Sequence, residues 1–433
     1  MRTTQKSLRN KVIYQVFTRN FGNGTFSAVK DQLDRIRALG VDYIYLLPIH
    51  PSGEVQRKGS MGSPYAIKDY RAIDPVQGTM DEFIALSEAI HEKGMKLVID
   101  IVFNHTSPDS FLATNHPEWF YRKPDGTMGN RMGDWWDVID LDYSHKELWE
   151  YQIETLKMWA QYVDGFRCDV APLVSLEFWK EARDEVEKVR PGCLWIAESI
   201  EMHSVRANRQ AGVATLTDAE LYQVFDICYD YDIYDSMKLA MTGAGKVSDF
   251  TRAMDLQEGM YPENYCKLRC LENHDRPRAA ALVPEDRALR NWTAFQFFAK
   301  GAVMLYNGQE YEAMHHPTLF DHDPIETDTG KDISGFLKKL SMIKKDPLLA
   351  EGAYQVKTIG KNEDVIVAEY HQAAGTTTEY KRAIGIFSTT GTRQSLPVEL
   401  ENGQYRNEID GEMVDVFENT MCFTGEPVIL FLS

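Results

Sequence analysis

Several features that would settle a protein's class at once are scarce or missing in this sequence. It has six cysteines in 433 residues. Cys168, Cys228 and Cys270 fall inside apolar, strand-like runs, where a thiol behaves as a small buried hydrophobe. Cys266 and Cys270 lack the spacing of a zinc knuckle. The pattern argues against a disulfide framework and for free thiols in a reducing, cytoplasmic setting. No run approaches the roughly 18 apolar residues a membrane span needs, and residues 1–10 carry no apolar signal-peptide segment. Basic residues are in deficit, 47 against 65 acidic, for a formal charge of −18. A field of that sign repels phosphate backbones and anionic membrane surfaces, which excludes nucleic acid and membrane as partners and suits a neutral substrate. No glycine-rich phosphate-binding motif follows any apolar run, so nucleotide binding has no support. Internal repeats and low-complexity tracts are absent too, and nothing specifies an oligomeric state.

What the sequence does have is aromatic residues, 11% of the chain, and a long alternation of short apolar strands with amphipathic helices. Strands are predicted at 12–17, 43–49, 97–103, 165–170, 194–198, 223–229, 267–271 and 302–306. Between the first two, Val29, Leu33, Ile36 and Leu39 form one helical face closed by Gly40. Capping boxes are predicted at Thr79 with Glu82 and at Ser144 with Glu147. A further helix is expected at about 175–189. Near-continuous apolar strands joined by helices imply a parallel sheet buried on both faces. Eight of them over some 300 residues favour a closed (β/α)8 barrel, assigned to residues 1–104 and 144–347. Residues 105–143 interrupt the rhythm as an excursion containing Trp119, Trp135 and Trp136. After about 347 the helical pattern gives way to short strands, predicting a small antiparallel β-sandwich domain over 348–433.

Barrel chemistry sits at the C-terminal ends of strands, and four predicted strands end in functional groups. The third carries Asp100 and leads to Asn104 and His105. The fourth carries Arg167 and Asp169, placed on one face by the period of two, with Phe166, Cys168 and Val170 on the other. The fifth ends in Glu198, and the seventh leads into Glu272, Asn273, His274 and Asp275. Clustered carboxylates repel one another and are costly unless they have a use. Two chemistries employ such a cluster: divalent-metal catalysis, and glycoside hydrolysis by an ionised carboxylate facing a protonated one. Arg167 beside Asp169 favours the second, because a guanidinium holds a carboxylate ionised and would compete with a metal.

At these residues the sequence resembles the α-amylase family, glycoside hydrolase family 13. The family's four short regions are similar to residues 100–105 (DIVFNH), 165–169 (GFRCD), 196–198 (IAE) and 272–275 (ENHD). Further likeness lies at 40–49 (GVDYIYLLPI), 65–70 (YAIKDY) and 306–310 (YNGQE). The resemblance implies a barrel with an excursion after the third strand and a C-terminal β-sandwich. It implies Asp169 as nucleophile, Glu198 as general acid/base and Asp275 as a third carboxylate gripping sugar hydroxyls. Arg167, His105, His274 and Tyr65 would bind the reacting sugar or hold Asp169 ionised, and Asp100 would support Arg167. The mechanism requires Glu198 to be pushed up by negative neighbours and Asp169 held down by Arg167. Retention requires roughly 5–5.5 Å between their carboxyl groups.

The implied activity is retaining hydrolysis of α-1,4-linked glucooligosaccharides. The alternatives are α-glucosidase, oligo-1,6-glucosidase and transglycosylase activities of the same family. Outside it stand a non-catalytic carbohydrate-binding relative and a metal-dependent barrel enzyme. Residues 170–172 (VAP) follow the expected nucleophile where many members place Lys-His, a partner to both substrate and calcium; Val170 is reminiscent of relatives that cut α-1,6 links. Asn104 is thus left as an isolated calcium-ligand candidate, and no cofactor is expected to be required.

Overall fold

The computed structural model describes residues 4–133 and 135–433. Residues 1–3, which begin the predicted barrel segment, and Asp134 in the predicted excursion lie outside the described residues. Eight parallel strands form the barrel: β1 (Val12–Val16), β2 (Tyr43–Leu46), β3 (Lys96–Ile101), β4 (Gly165–Cys168), β5 (Leu194–Ala197), β6 (Ile227–Tyr229), β7 (Lys267–Arg269) and β8 (Ala302–Tyr306). They close in the order β1-β8-β7-β6-β5-β4-β3-β2. All eight predicted runs are used, and all but the first residue of β3 are buried, as expected of strands covered by helices on one side and barrel contents on the other.

Some local expectations are corrected. Residues 223–225 are not strand: Val224 and Phe225 both donate backbone hydrogen bonds to the Leu221 carbonyl at 2.8 Å, finishing the turn of the helix Asp218–Leu221. Both are buried, and an apolar run does not by itself distinguish strand from buried helix end. The Thr79–Glu82 capping box forms, but the one at Ser144 does not. There the helix starts at Lys146 with His145 at its N-cap, and the Asp142 carboxylate accepts from Ser144 N–H at 3.0 Å instead. The 29–39 helix is broken at Gln32 into Phe26–Asp31 and Leu33–Ala38. Gly40 closes it at φ +87°, where a Cβ would stand 2.5 Å from that of Ser341.

The excursion contains a two-residue strand pair, His105–Thr106 with Ile139–Asp140. Beyond the helix Leu348–Glu351 come eight antiparallel strands: β9 (Ala353–Ile359), β10 (Val365–His371), β11 (Arg382–Ser388), β12 (Gln394–Pro397), β13 (Gly403–Arg406), β14 (Met413–Phe417), β15 (Thr420–Phe423) and β16 (Val428–Leu432). They make two sheets, β9-β10-β11-β16 and β12-β15-β14-β13. Val367, Ile384, Leu396, Met421 and Phe423 belong to a core of their own. The first sheet also packs on the barrel, where Tyr370 donates to the Phe298 carbonyl at 2.9 Å and Gly385 leaves room for the Phe298 ring. Among the described residues no helix is long and apolar enough to cross a membrane. All six cysteines are free, and only Cys422 is exposed.

Candidate active site

Asp100 on β3 and Arg167 on β4 are register partners, so both side chains enter the barrel side by side. Arg167 Nη1 donates to Asp100 Oδ1 at 2.9 Å and Oδ2 at 3.1 Å, and to Asp169 Oδ1 at 3.0 Å. Its Nη2 stands 2.9 Å from Glu198 Oε1, an ion-pair distance without hydrogen-bond alignment. The hydroxyls of Tyr45 and Tyr65 donate to Asp100 Oδ2 at 2.6 and 2.9 Å. Asp100 therefore orients the guanidinium from below, and the guanidinium reaches upward to two carboxyl groups. Both carboxyl-bearing residues lie one step past their strands: Asp169 N–H bonds the Ile101 carbonyl at 2.9 Å, and Glu198 N–H bonds that of Cys168 at 3.0 Å.

The loop after β7 supplies the third acid. Asn273 folds it, accepting from Asp275 N–H at 2.9 Å and donating to the Tyr231 hydroxyl at 2.7 Å. His274 stacks on Tyr65 with ring centroids 5.4 Å apart. Its Nε2 lies 2.6 Å from the Tyr65 hydroxyl and 3.1 Å from Asp275 Oδ2. Gln15 of β1 meets the other ring nitrogen at 3.0 Å. Opposite, His105 Nε2 stands 3.8 Å from Asp169 Oδ2, close enough to share a ligand hydroxyl. Asn104 is turned from the cleft, with Nδ2 3.1 Å from His105 Nδ1. Glu272, inside the same motif, is structural: it binds Arg278 at 2.6 Å and the Ala279 N–H at 2.7 Å.

Electrostatics correct one expectation. Burial pushes Asp169 well above the ordinary carboxylate range, reinforced by the charge of Glu198, and Arg167 does not reverse it. Burial also raises Glu198, against Arg167 and with help from Asp275. The sequence reading weighed neighbouring charges but not the desolvation of a site closed by Tyr65, Tyr229 and Tyr231, so it held Asp169 down. The two carboxyls share one guanidinium and titrate as a pair. Asp275 behaves oppositely: burial raises it, but contact with His274 and the charge of Arg167 and Arg276 bring it down to about 2. Burial, aided by Lys58, takes His105 down to about 4, leaving a neutral ring at neutral pH.

These groups line a cavity of about 360 Å3. It brings together Asp169, Glu198, Asp275, Tyr65 and His105, all predicted, while Arg167, Asp100 and His274 lie beneath its surface. Of the excursion's tryptophans, Trp135 lines the cavity, Trp136 is exposed, and Trp119 is core, stacked on His116. Sequence reasoning missed Lys58, Glu201, Tyr231, Arg276 and Phe320, which also line it. Gln15 and Tyr45 were missed as supports; Gln15 was detectable as a lone amide in an apolar strand.

A family model described as "Alpha amylase, catalytic domain" matches residues 15–352. The chain belongs to the alpha-amylase family. A second model, "Bacterial Alpha amylase C-terminal domain", matches residues 357–430. A crystallised alpha-amylase from Lactobacillus plantarum is 43% identical, covers 99% of this chain and 100% of its own, and superposes with a TM-score of 0.95. The noncanonic maltogenic alpha-amylase AmyB from Thermotoga neapolitana is 31% identical with a TM-score of 0.86, covering 98% and 99% of the two chains. Alpha-amylase MalA from Haloarcula japonica is 26% identical over 96% of this chain and 62% of its own length. An alpha-1,4-glucan:maltose-1-phosphate maltosyltransferase from Rhodospirillum rubrum is 36% identical over 41% of this chain and 28% of its own. The chain thus spans less than two thirds of these last two relatives.

Proposed function

We propose that this enzyme hydrolyses α-1,4-linked glucooligosaccharides with retention of configuration. The observation that supports it most is the Arg167 guanidinium bridging Asp169 and Glu198. Spanning both carboxyl groups with one guanidinium draws them together, as double displacement requires. In the form of the pair in which Glu198 carries the shared proton, ionised Asp169 attacks the anomeric carbon while Glu198 gives that proton to the departing glycosidic oxygen. Glu198, now ionised, takes a proton from water, and that water opens the glycosyl ester with Asp169 to release an α-anomer. Asp275, ionised far below neutral pH, and neutral His105 hold hydroxyls of the reacting sugar. The neutral substrate fits a chain of charge −18, because it needs no electrostatic steering. Free thiols at every cysteine fit action in a reducing compartment.

No step of this scheme is routed through calcium. Calcium takes six to eight oxygen ligands; Asp140, which lines a pocket with Asn104, accepts from Arg131 N–H at 2.7 Å and pairs with its guanidinium at 3.4 Å through Oδ2, while its Oδ1 is buried without a partner. Among the described residues no three His, Cys, Asp or Glu side chains converge to hold a metal.

Transglycosylation is the second reading, favoured by the maltosyltransferase likeness; it uses the same glycosyl-enzyme and differs only in the acceptor. Incubation with maltose, maltoheptaose, isomaltose and sucrose, with product size and anomer followed by NMR, tests both. Shorter α-anomers from maltoheptaose are expected, products longer than the substrate would indicate transfer, and a β-anomer released first would overturn retention. Activity is expected to survive EDTA. Asp169→Asn is expected to abolish turnover with the fold intact.

A further inference from the structure

Lys58 joins three segments that are remote in sequence. It lies in the connection following β2, with 22% of its side chain exposed. Its Nζ is 2.6 Å from Asp137 Oδ1, in the excursion. The same ammonium lies 5.3 Å from the ring centroid of Trp136 and 5.6 Å from that of Phe320, in the connection following β8. The Lys58 and Phe320 loops are also sewn together by backbone: Met61 N–H bonds the Phe320 carbonyl at 2.9 Å, and Ser60 bonds Asp321 through N at 2.8 Å and Oγ at 2.7 Å. An ammonium paired with one buried carboxylate and lying near two aromatic rings ties these segments together by charge and cation–π attraction.

Lys58 lines the catalytic cavity with His105 and Trp135, whose ring centroids are 5.3 Å apart. The tie joins the connections after β2, β3 and β8, whereas Glu201 and Arg276, which also line the cavity and pair with each other, follow β5 and β7 on the facing arc of the barrel. A leaving group departs on the side of its acid catalyst, so the Glu198–Glu201 end faces the reducing portion of a bound glucan. The Lys58 end then faces the non-reducing portion. We infer that Lys58 is a specificity-determining residue that walls off the cleft beyond the non-reducing end of the substrate, so that the enzyme removes short units from chain ends instead of cutting within chains. A wall of this kind selects by excluding the longer chain, not by added attraction to the shorter one.

This inference rests on the α-glucan reading above. The test compares maltoheptaose with maltoheptaose whose non-reducing end carries a 4,6-O-benzylidene block. Wild-type enzyme is expected to cut the blocked chain on the order of tenfold more slowly, the discrimination a shaped pocket supplies. Lys58→Ala is expected to bring the two rates together and to lengthen the fragments released from the non-reducing end. Lys58→Arg, which can still reach Asp137 and cover both rings, is expected to keep the wild-type preference. Equal wild-type rates, or an unchanged ratio in Lys58→Ala, would overturn the inference while leaving glucan hydrolysis standing. If Lys58→Ala fails to fold, Asp137→Asn takes its place, and the same shift supports the inference while no shift overturns it. Wild-type enzyme that leaves both substrates intact would instead overturn the glucan reading, and the wall with it.

Discussion

The backbone N–H of Val170 reaches Glu198 Oε2 at 2.7 Å because Val170 adopts a left-handed conformation, φ +33° and ψ +46°. β-Branched residues rarely do so, and the strain of such a residue is about 1–3 kcal/mol. It sits directly after Asp169, so the turn that strains the chain also aims an amide at the second carboxyl. Val170→Asn keeps the amide and approximates the side-chain volume with a residue enriched in this conformation. We expect it to raise stability by about 1 kcal/mol, measured by urea unfolding, with turnover persisting. A clear loss of stability would show that Val170 packing outweighs its strain.

The division of labour proposed for Asp169 and Glu198 has a kinetic signature. General acid catalysis contributes about 10²–10⁴-fold when the leaving group needs a proton. Glu198→Gln should therefore lose activity of that order on maltoheptaose, yet much less in the first step on an aryl maltoside whose phenolate leaves unprotonated. Asp169→Asn should lose both alike. Burst and steady-state rates on the two substrates check this, and equal losses in Glu198→Gln would remove its assignment as the acid.

The proposed mechanism needs one proton on the Asp169–Glu198 pair, so the pH profile of kcat/KM should be a bell bounded by the pair's two macroscopic values. Burial raises both groups, which places the bell above the ordinary carboxylate range near pH ~4. Asp275 contributes to both upward shifts. Removing its charge favours the ionised forms, so the residual activity of Asp275→Asn should show its bell moved toward acid. A bell left in place would mean that Asp275 does not act on the pair through its charge.

The rim of the barrel was legible because its polar residues interrupt apolar strands: Asp100, Arg167 and Asp169 have no apolar explanation, and a period of two puts the last two on one face. Placement was legible for the same reason, since barrel strands that end in carboxylates converge. The walls of the cleft were not. Lys58 meets Asp137 and Phe320, and Arg276 meets Glu201, across separations that leave no local pattern, and each looks alone like a solvated charge. Lys267 and Arg269 were likewise hidden in a strand, and the structure pairs them with Asp218, Asp232 and Asp230 on the neighbouring elements. The Asp169 titration was misjudged because burial depends on the whole enclosure, which the strand motif does not contain.

A buried amine far from the cleft offers a test of the barrel itself. Lys344 ends the helix Ser334–Lys344 with no exposed surface, its Nζ donating to the Ala299 carbonyl at 2.7 Å. Burial lowers it to about 7 against the opposing influence of Cys266, with Arg269, Lys345 and Arg9 adding repulsion. The unfolded chain holds this proton up to pH ~10.4. Between those values the unfolded state binds more protons, so stability rises with pH across the window and is flat below it. The penalty at neutral pH is at most about 4 kcal/mol, and losing the hydrogen bond to Ala299 costs about 1–3 kcal/mol. Lys344→Met should accordingly be more stable than wild type at pH 7 by about 1–2 kcal/mol, and the gain should vanish or reverse near pH 10. Unfolding in urea at both pH values measures it, and a difference that does not change with pH would show that the native amine keeps its proton throughout.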